Sequence, residues 1–350
     1  MATMLSCMLN LSEKIRMSLR DRMAHSLNVI WQSNRLCWLL AIFVPVLQLI
    51  AYARKKLHYP SKNKIPVCVV GNISVGGNGK TPFVAWLAEC LIAQHYRVVI
   101  AGKPYCASRP IKNSQIFTET YPVNQMGDEM ALLGHKLRCS IVVAPSRSSA
   151  INFICTQHKG EYDIILCDDG LQSPDILPDC SILLCDPDNI GNGYLLPMGP
   201  LRMPWECVND VDFFLSVSND LSRSPGVLKK MSEFVYHHHS LQKVQLRSFE
   251  SVIAILGVAK PEPIQKFLTQ YIADITWIIK SDHTSPTSIQ LEYIRQKNKP
   301  ILMTEKDWIK IKDELTAEDN VWIIPLKIEI EKNISLSILK YIEGLCRKGY

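Results

Sequence analysis

The sequence predicts an α/β protein: a mostly parallel sheet with helices on both faces, a smaller C-terminal α/β unit, and an N-terminal membrane-associated helix. Three observations lead there. From Lys64 onward, short and almost wholly apolar runs alternate with longer helical stretches, the pattern of parallel strands covered on both faces. A glycine-rich segment, "SVGGNGKTP", stands between one such run and a helical stretch. With 350 residues, 47% of them apolar, the chain can bury the core that a layered sheet requires.

Residues 1–28 contain Met4, Met8, Met17 and Met23 without sustained apolar periodicity, so they are expected to form a loose extension. Residues 29–58 form the membrane-associated segment. Within it, Leu36–Tyr52 reads "LCWLLAIFVPVLQLIAY", with Gln48 its one strongly polar member. Seventeen residues lie at the short end of the roughly 17–25 a spanning helix needs, and Pro45 is expected to kink the run. Trp38 and Tyr52 near its ends and Arg54, Lys55 and Lys56 beyond fit a helix dipped into the anionic cytoplasmic face of a membrane. A buried core helix is the other reading. A cleaved signal peptide fits worse, because a long mixed-charge stretch precedes the run and no A-x-A-like site follows it.

The runs "IPVCVVGN", "RVVIAG", "CSIVVAP", "YDIILCDDG" and "CSILLCD" and residues 211–217 then read as strands, with a helix over Pro82–His95 after the first. Ser, Pro and charged residues thicken over 225–250 and mark a soft boundary. The division expected is a core domain over 59–235 and a smaller one over 236–350, the latter with strands at 251–257, "ITWIIK", "PILMTEKD" and "VWIIPL". A net charge of +6 suits an anionic partner without choosing one. The positive residues are dispersed rather than interleaved with aromatics, which argues against nucleic acid. Twelve cysteines without a C-x-x-C pair point to a reducing compartment.

The chemistry concentrates in a few segments. Ser74, Val75, Gly76, Gly77, Asn78, Gly79, Lys80 and Thr81 form a strand–loop–helix phosphate cradle, with Ser74 where a strict Walker A motif has glycine. Glycines let backbone N–H groups turn toward phosphate oxygens, and the helix N-terminus adds partial positive charge. Lys80 is placed to reach the β- and γ-phosphates and Thr81 to hold Mg²⁺. Asp168 and Asp169 end a strand and supply the carboxylate such a loop needs for its metal, although a helix cap or solvated turn reads the same way. Asp128 and Glu129 open a helical pattern ending near Leu137, a capping arrangement when taken alone. Asp282 and His283 lie in a loop after a strand. "TEKD", Thr304–Asp307, reads equally as a capping box. His237–His239 reads as surface.

In order and spacing, "VVGNISVGGNGKTPFV", "MGDEMALL", "DDGLQ", "GNGYLLPMGPLR", the Asp282–His283 pair and "TEKD" resemble the tetraacyldisaccharide 4′-kinase family, over roughly residue 30 to the C-terminus. The family itself carries serine at the position of Ser74. The resemblance implies a P-loop kinase that moves the γ-phosphate of ATP, with Mg²⁺, to the 4′-hydroxyl of a tetraacylated glucosamine disaccharide 1-phosphate. It further implies work at the inner face of the cytoplasmic membrane; a monomer is a separate expectation. Carried over by position, Asp128 is the general base and His283 its partner. Glu129, Asp168 and Asp169 serve the metal, with Gln172 as a ligand or water-orienting group, and Arg202 meets a phosphate. The sequence departs from the family at Lys103 and Pro104 in "AGKPYCASR", at Ser173 after "DDGLQ", and at Ala259 and Lys260 in "GVAKP". These departures leave open a membrane-associated nucleotide-binding regulator with lost or retuned transfer. A GTPase or metallochaperone-like NTPase is less well supported, since "TEKD" is only a partial echo of a guanine-reading N-K-x-D segment.

Overall fold

The computed structural model describes residue 31 and residues 37–57, 63–77, 79–219, 226–282, 284, 286 and 288–347. The loose extension expected over residues 1–28 lies outside them. Two sheets organise the rest. The first has nine strands: β1 (Val67–Asn72), β2 (Val98–Gly102), β3 (Gln115–Phe117), β4 (Ser140–Val143), β5 (Ile164–Asp168), β6 (Cys180–Cys185), β7 (Phe213–Ser218), β8 (Val227–Met231) and β15 (Leu326–Ile330). Their order is β15-β8-β7-β6-β1-β5-β2-β4-β3. The interior pairs are parallel, and only the two edge strands, β3 and β15, run antiparallel to their neighbours. Every residue of β1, β2, β5 and β6 is buried, as their unbroken apolar text requires of strands covered on both faces.

One face is covered by the helix Lys80–Ala93, whose Phe83, Leu87 and Leu91 are buried, and the other by Arg147–Gln157 through Ala150, Ile151 and Ile154. Phe83 is fully buried, so truncation to alanine removes about 3–5 kcal/mol. The first helix begins at Lys80, two residues before the expected start. Pro82 therefore sits in its first turn, where a missing N–H costs no intrahelical bond.

The second sheet has the order β10-β9-β14-β13-β11-β12. Its strands are β9 (Phe234–His237), β10 (Lys243–Gln245), β11 (Ser251–Leu256), β12 (Asp274–Ile279), β13 (Ile301–Thr304) and β14 (Val321–Ile324). One apolar cluster runs from Phe83, Leu87 and Leu133 of the first unit into Ile255, Met303 and Ile309 of the second, so the two sheets share a core. The chain also crosses back. Residues 326–330 pair with β8, placing β15 in the large sheet although the sequence reading assigned everything after residue 235 to the smaller unit. The alternating "LKIEI" suits an edge strand with one covered face. Of the triplet, His239 is exposed as expected, whereas His237 and His238 are half-buried, each with Nε2 3.1 Å from the Asp319 carbonyl oxygen.

The N-terminal apolar run forms a 3₁₀ turn over Cys37–Leu40 and then a helix over Phe43–Leu57. Pro45 falls in that helix's first turn and needs no kink there. Fifteen residues rise about 22 Å, short of a hydrocarbon core of about 30 Å. No helix among the described residues is long and apolar enough to cross a membrane. Ile42 and Leu49 are 71% and 67% exposed, which sets aside the buried-core reading of this run. The segment is fastened to the protein by Trp38, edge-on to Tyr194 at 5.7 Å, and by the Trp31 indole N–H donating to the Pro197 carbonyl at 2.9 Å.

Candidate active site

The site gathers at the carboxyl ends of the central strands, where open α/β sheets bind ligands. After β1 the loop is held by a bridge between Ser74 and Leu201 and by the Val75 N–H donating to the Pro200 carbonyl at 2.8 Å. Ser74 is buried and its backbone is not left-handed, so a side chain fits where a strict Walker A loop has glycine. Gly76 and Gly79 have φ of 119° and 79°, conformations that L side chains rarely adopt, and they place glycine where the turn demands it. Gly79 precedes Lys80 without a side-chain cap, leaving the first-turn N–H groups to face an anion. Gly77 is exposed, and Asn78 lies outside the described residues.

β5 neighbours β1, so Asp168 at its end meets Thr81 across the loop: the Thr81 hydroxyl donates to Asp168 Oδ2 at 3.1 Å, although 87 residues separate them. Asp168 is 3% exposed, and its Oδ1 is buried without a hydrogen-bond partner. Burial and the nearby Glu129 push its carboxyl up to about 7 against the pull of Lys80. Asp169 does the opposite work. It stands at φ 63°, and its carboxylate meets Lys80 at 3.4 Å, Arg202 at 3.0 Å and Arg147 at 3.4 Å. Burial raises its pKa, but these three cations outweigh it and hold Asp169 below the usual carboxylate range. The structure thus places Asp169, expected from the sequence to serve the metal, at the centre of three cations. Gln172 likewise donates to the Asn72 carbonyl at 3.0 Å and accepts from Arg202 at 3.4 Å, bracing the cluster.

Asp128 opens the helix Asp128–Leu137 after Gly127, whose φ is 80°. A Cβ on Gly127 would stand 2.1 Å from the Tyr105 carbonyl oxygen, so the "AGKPYCASR" loop packs directly under the start of this helix. Asp128 is 3% exposed, and Glu129 beside it raises the Asp168 carboxyl, which puts this helix start and the P-loop in one field. From the second sheet, Lys306 places its ammonium 3.0 Å from Asp282 and 4.0 Å from Glu129. His283 lies outside the described residues. Of the departures, Lys103 is exposed at the end of β2, Ser173 N–H donates to the Gly170 carbonyl, and Lys260 reaches Asn189.

The donor set fits Mg²⁺. A buried carboxylate with one orphaned oxygen beside a threonine hydroxyl, its pKa raised by burial and by Glu129, is what a cation would relieve. Among the described residues no cluster of three or more His, Cys, Asp or Glu could hold a metal. Mg²⁺ does not ask for one, since it is held by one or two carboxylates with substrate phosphates and water.

Sequence reasoning missed Arg147. It begins the helix capped by Ser146, and its guanidinium donates to the Asp168 carbonyl at 2.6 Å as well as meeting Asp169. The "PSR" that follows the apolar run ending at Ala144 was the available signal, a cap residue ahead of a cation at a strand's carboxyl end. Lys306 was seen only as part of a capping box. That reading holds for Thr304, whose hydroxyl accepts from the Asp307 N–H at 3.1 Å.

A parallel sheet with a glycine loop leading into a helix, a lysine and threonine at that helix's start, and an acidic strand end beside them define a P-loop phosphotransferase of the kinase type. The family model described as Tetraacyldisaccharide-1-P 4'-kinase (LpxK) matches residues 36–343. The chain belongs to that family. It is 34% identical over 311 residues to the tetraacyldisaccharide 4'-kinase of Haemophilus influenzae (strain 86-028NP), covering 86% of this chain and 91% of that one. It is 30% identical over 330 residues to that of Actinobacillus succinogenes, covering 92% of this chain and 100% of the other. Its fold is shared with LpxK from Aquifex aeolicus, solved in complex with ATP, at TM-score 0.70 and 24% identity, covering 90% of this chain and 100% of that one.

Proposed function

We propose that the protein transfers the γ-phosphate of ATP to the 4′-hydroxyl of a tetraacylated glucosamine disaccharide 1-phosphate, a step of lipid A biosynthesis. The observation that carries this reading is the meeting of Asp168 with Thr81 of the phosphate loop while Asp169 gathers Lys80, Arg147 and Arg202. The loop from Ser74 to Thr81 cradles the phosphates of ATP. Lys80, Arg147 and Arg202 form a cationic wall for the charge that spreads over the transferring group, and Arg202 presents a planar fork suited to phosphate. Thr81, Asp168 and Glu129 would hold Mg²⁺, which when bound neutralises charge on the phosphates. Asp128, buried at a helix N-terminus, takes the proton of the attacking hydroxyl, with His283 as the partner the family pattern gives it.

The large sheet supplies the phosphate-binding groups, and the unit built on the second sheet contributes the loop of Asp282 and the helix of Lys306. Exposed apolar residues over Trp38–Ile50 support work at a membrane surface. The cytoplasmic face and a single working chain are part of the proposal. The test is transfer of labelled γ-phosphate from ATP with Mg²⁺ by detergent-solubilised protein, beside Lys80→Ala and Asp128→Asn. We predict the bis-phosphate product from wild type and losses of at least about 100-fold in both variants. ATP binding without transfer by wild type overturns the kinase reading and makes the departures at Lys103, Pro104 and Ser173 the explanation.

A further inference from the structure

The four residues of "TEKD" fasten the start of the helix Glu305–Ile311 to itself and to its neighbours. Thr304 caps it. Glu305 accepts from Lys136 and from the Leu326 N–H, both at 3.3 Å. Asp307, 2% exposed, accepts from the Gly257 N–H at 3.1 Å and from Lys310 at 2.8 Å, and Lys310 donates in turn to the Thr284 carbonyl. The helix is thereby fixed on one side to Asp128–Leu137, where Trp308 also meets His135 edge-on at 4.9 Å, and on the other to the loop around Thr284. Lys306 lies between them, its ammonium within 4.0 Å of both Glu129 and Asp282.

We propose that Lys306 is a positioning residue for phosphoryl transfer: its ammonium joins Asp282 of the second unit to the Asp128–Glu129 helix start of the first, and so holds the general base against the phosphate site. The geometry rests on Asp282 at 3.0 Å and Glu129 at 4.0 Å from one nitrogen. Burial alone would lower the ammonium's pKa, yet Asp282, Asp128 and Glu129 together outweigh it and raise it, so Asp128 also lies within its field. Without the cation, three carboxylates on two elements are left to repel one another across a partly buried gap. The consequence falls on the placement of Asp128. It falls less on the loop Ser74–Thr81, which is anchored separately by the Ser74–Leu201 bridge and the Val75 N–H to the Pro200 carbonyl.

The proposal rests on the kinase reading, and its test separates the two. In the full-length protein, Lys306→Met removes the charge at similar length, and Lys306→Arg keeps it. We expect Lys306→Met to lower kcat by about 30-fold or more, as displacement of a reacting group by a fraction of an ångström does, with KM for ATP changed by less than about 3-fold. Lys306→Arg should recover most of the loss. Asp282→Asn alone should cost about 10-fold and add less than about 3-fold in the Lys306→Met background, because the two act as one unit. Hydrogen exchange gives a reading that needs no activity: amides of residues 280–284 and 128–131 should exchange at least about 10-fold faster in Lys306→Met, with residues 80–85 unchanged. An inactive wild type would refute the kinase reading while exchange still reports on the contact. The proposal is overturned if Lys306→Met keeps kcat within about 3-fold, if Arg rescues no better than Met, if the two losses multiply, or if exchange in both segments stays as in wild type. Should Lys306→Met not fold, Asp282→Asn and Lys306→Arg carry the same comparison.

Discussion

Replacing Asp168 with asparagine should make the metal-free protein more stable and the enzyme inactive. Asp168 is buried, its Oδ1 has no hydrogen-bond partner, and its pKa is pushed up from 3.8 to about 7 by burial and by Glu129. A group whose folded pKa is raised binds its proton more tightly in the folded state, so for this carboxyl stability falls as pH rises from about 4 to about 7 and stays reduced above that. A rise of about 3 units corresponds to roughly 4 kcal/mol at full ionisation. Water admitted to a site that opens to solvent reduces the figure, and we predict that Asp168→Asn gains about 2–4 kcal/mol at pH 8 in EDTA and nothing at pH 4. Denaturant midpoints across pH 4–8 measure the difference. Millimolar Mg²⁺ should then stabilise wild type, by about 1.4 kcal/mol at ten times the dissociation constant, and leave the variant unchanged. The reasoning is refuted if the variant is less stable than wild type at pH 8, or if the difference does not depend on pH.

Gly127→Ala should cost at least about 2 kcal/mol and depress transfer by an order of magnitude or more. Its φ is 80°, its Cβ would meet the Tyr105 carbonyl oxygen, and relief requires moving the helix start that carries Asp128; thermal melts and kcat read the two effects. Asp319, paired with Arg295 at 2.6 Å and lowered to about 2, contributes stability that is present above pH 4 and lost as pH falls toward 2. Asp319→Asn should therefore cost about 1–2 kcal/mol at pH 7 and nothing near pH 2, and a flat difference across that range would count against the pairing. Removing residues 1–56 takes away the exposed apolar side chains from Trp38 to Ile50, and should release the protein from anionic vesicles in co-sedimentation. Unchanged pelleting would assign membrane contact elsewhere.

The strands legible in the sequence were those whose text is mostly apolar, β1, β2, β4–β7 and β11–β14. Of these, β1, β2, β5 and β6 are buried throughout and β4 in all but Ser140, as burial between helices explains. β3, β8, β9, β10 and β15 escaped notice. They are short, carry Lys, Glu, Gln or His, and lie toward the sheet edges or next to them, where half of each strand faces water and the pattern weakens. Pro45 and Pro82 were misplaced by a few residues for a related reason: a proline terminates a helix or begins it depending on where the turn falls, and that is settled by packing.

By itself the sequence determined whatever is local to the chain. The glycines at 76 and 79 answer a backbone torsion, the apolar runs answer a strand's period, and Lys80 and Thr81 follow the loop that presents them. Tertiary structure alone decided which charges share one place. Residues 80, 147 and 202 converge on Asp169 because β1 and β5 are neighbours while the chain between them is long, and Lys306 reaches Asp282 and Glu129 because two sheets share a core. Coulomb interactions depend on separation in space and on the dielectric around it, and neither quantity is written in the spacing of residues along a chain.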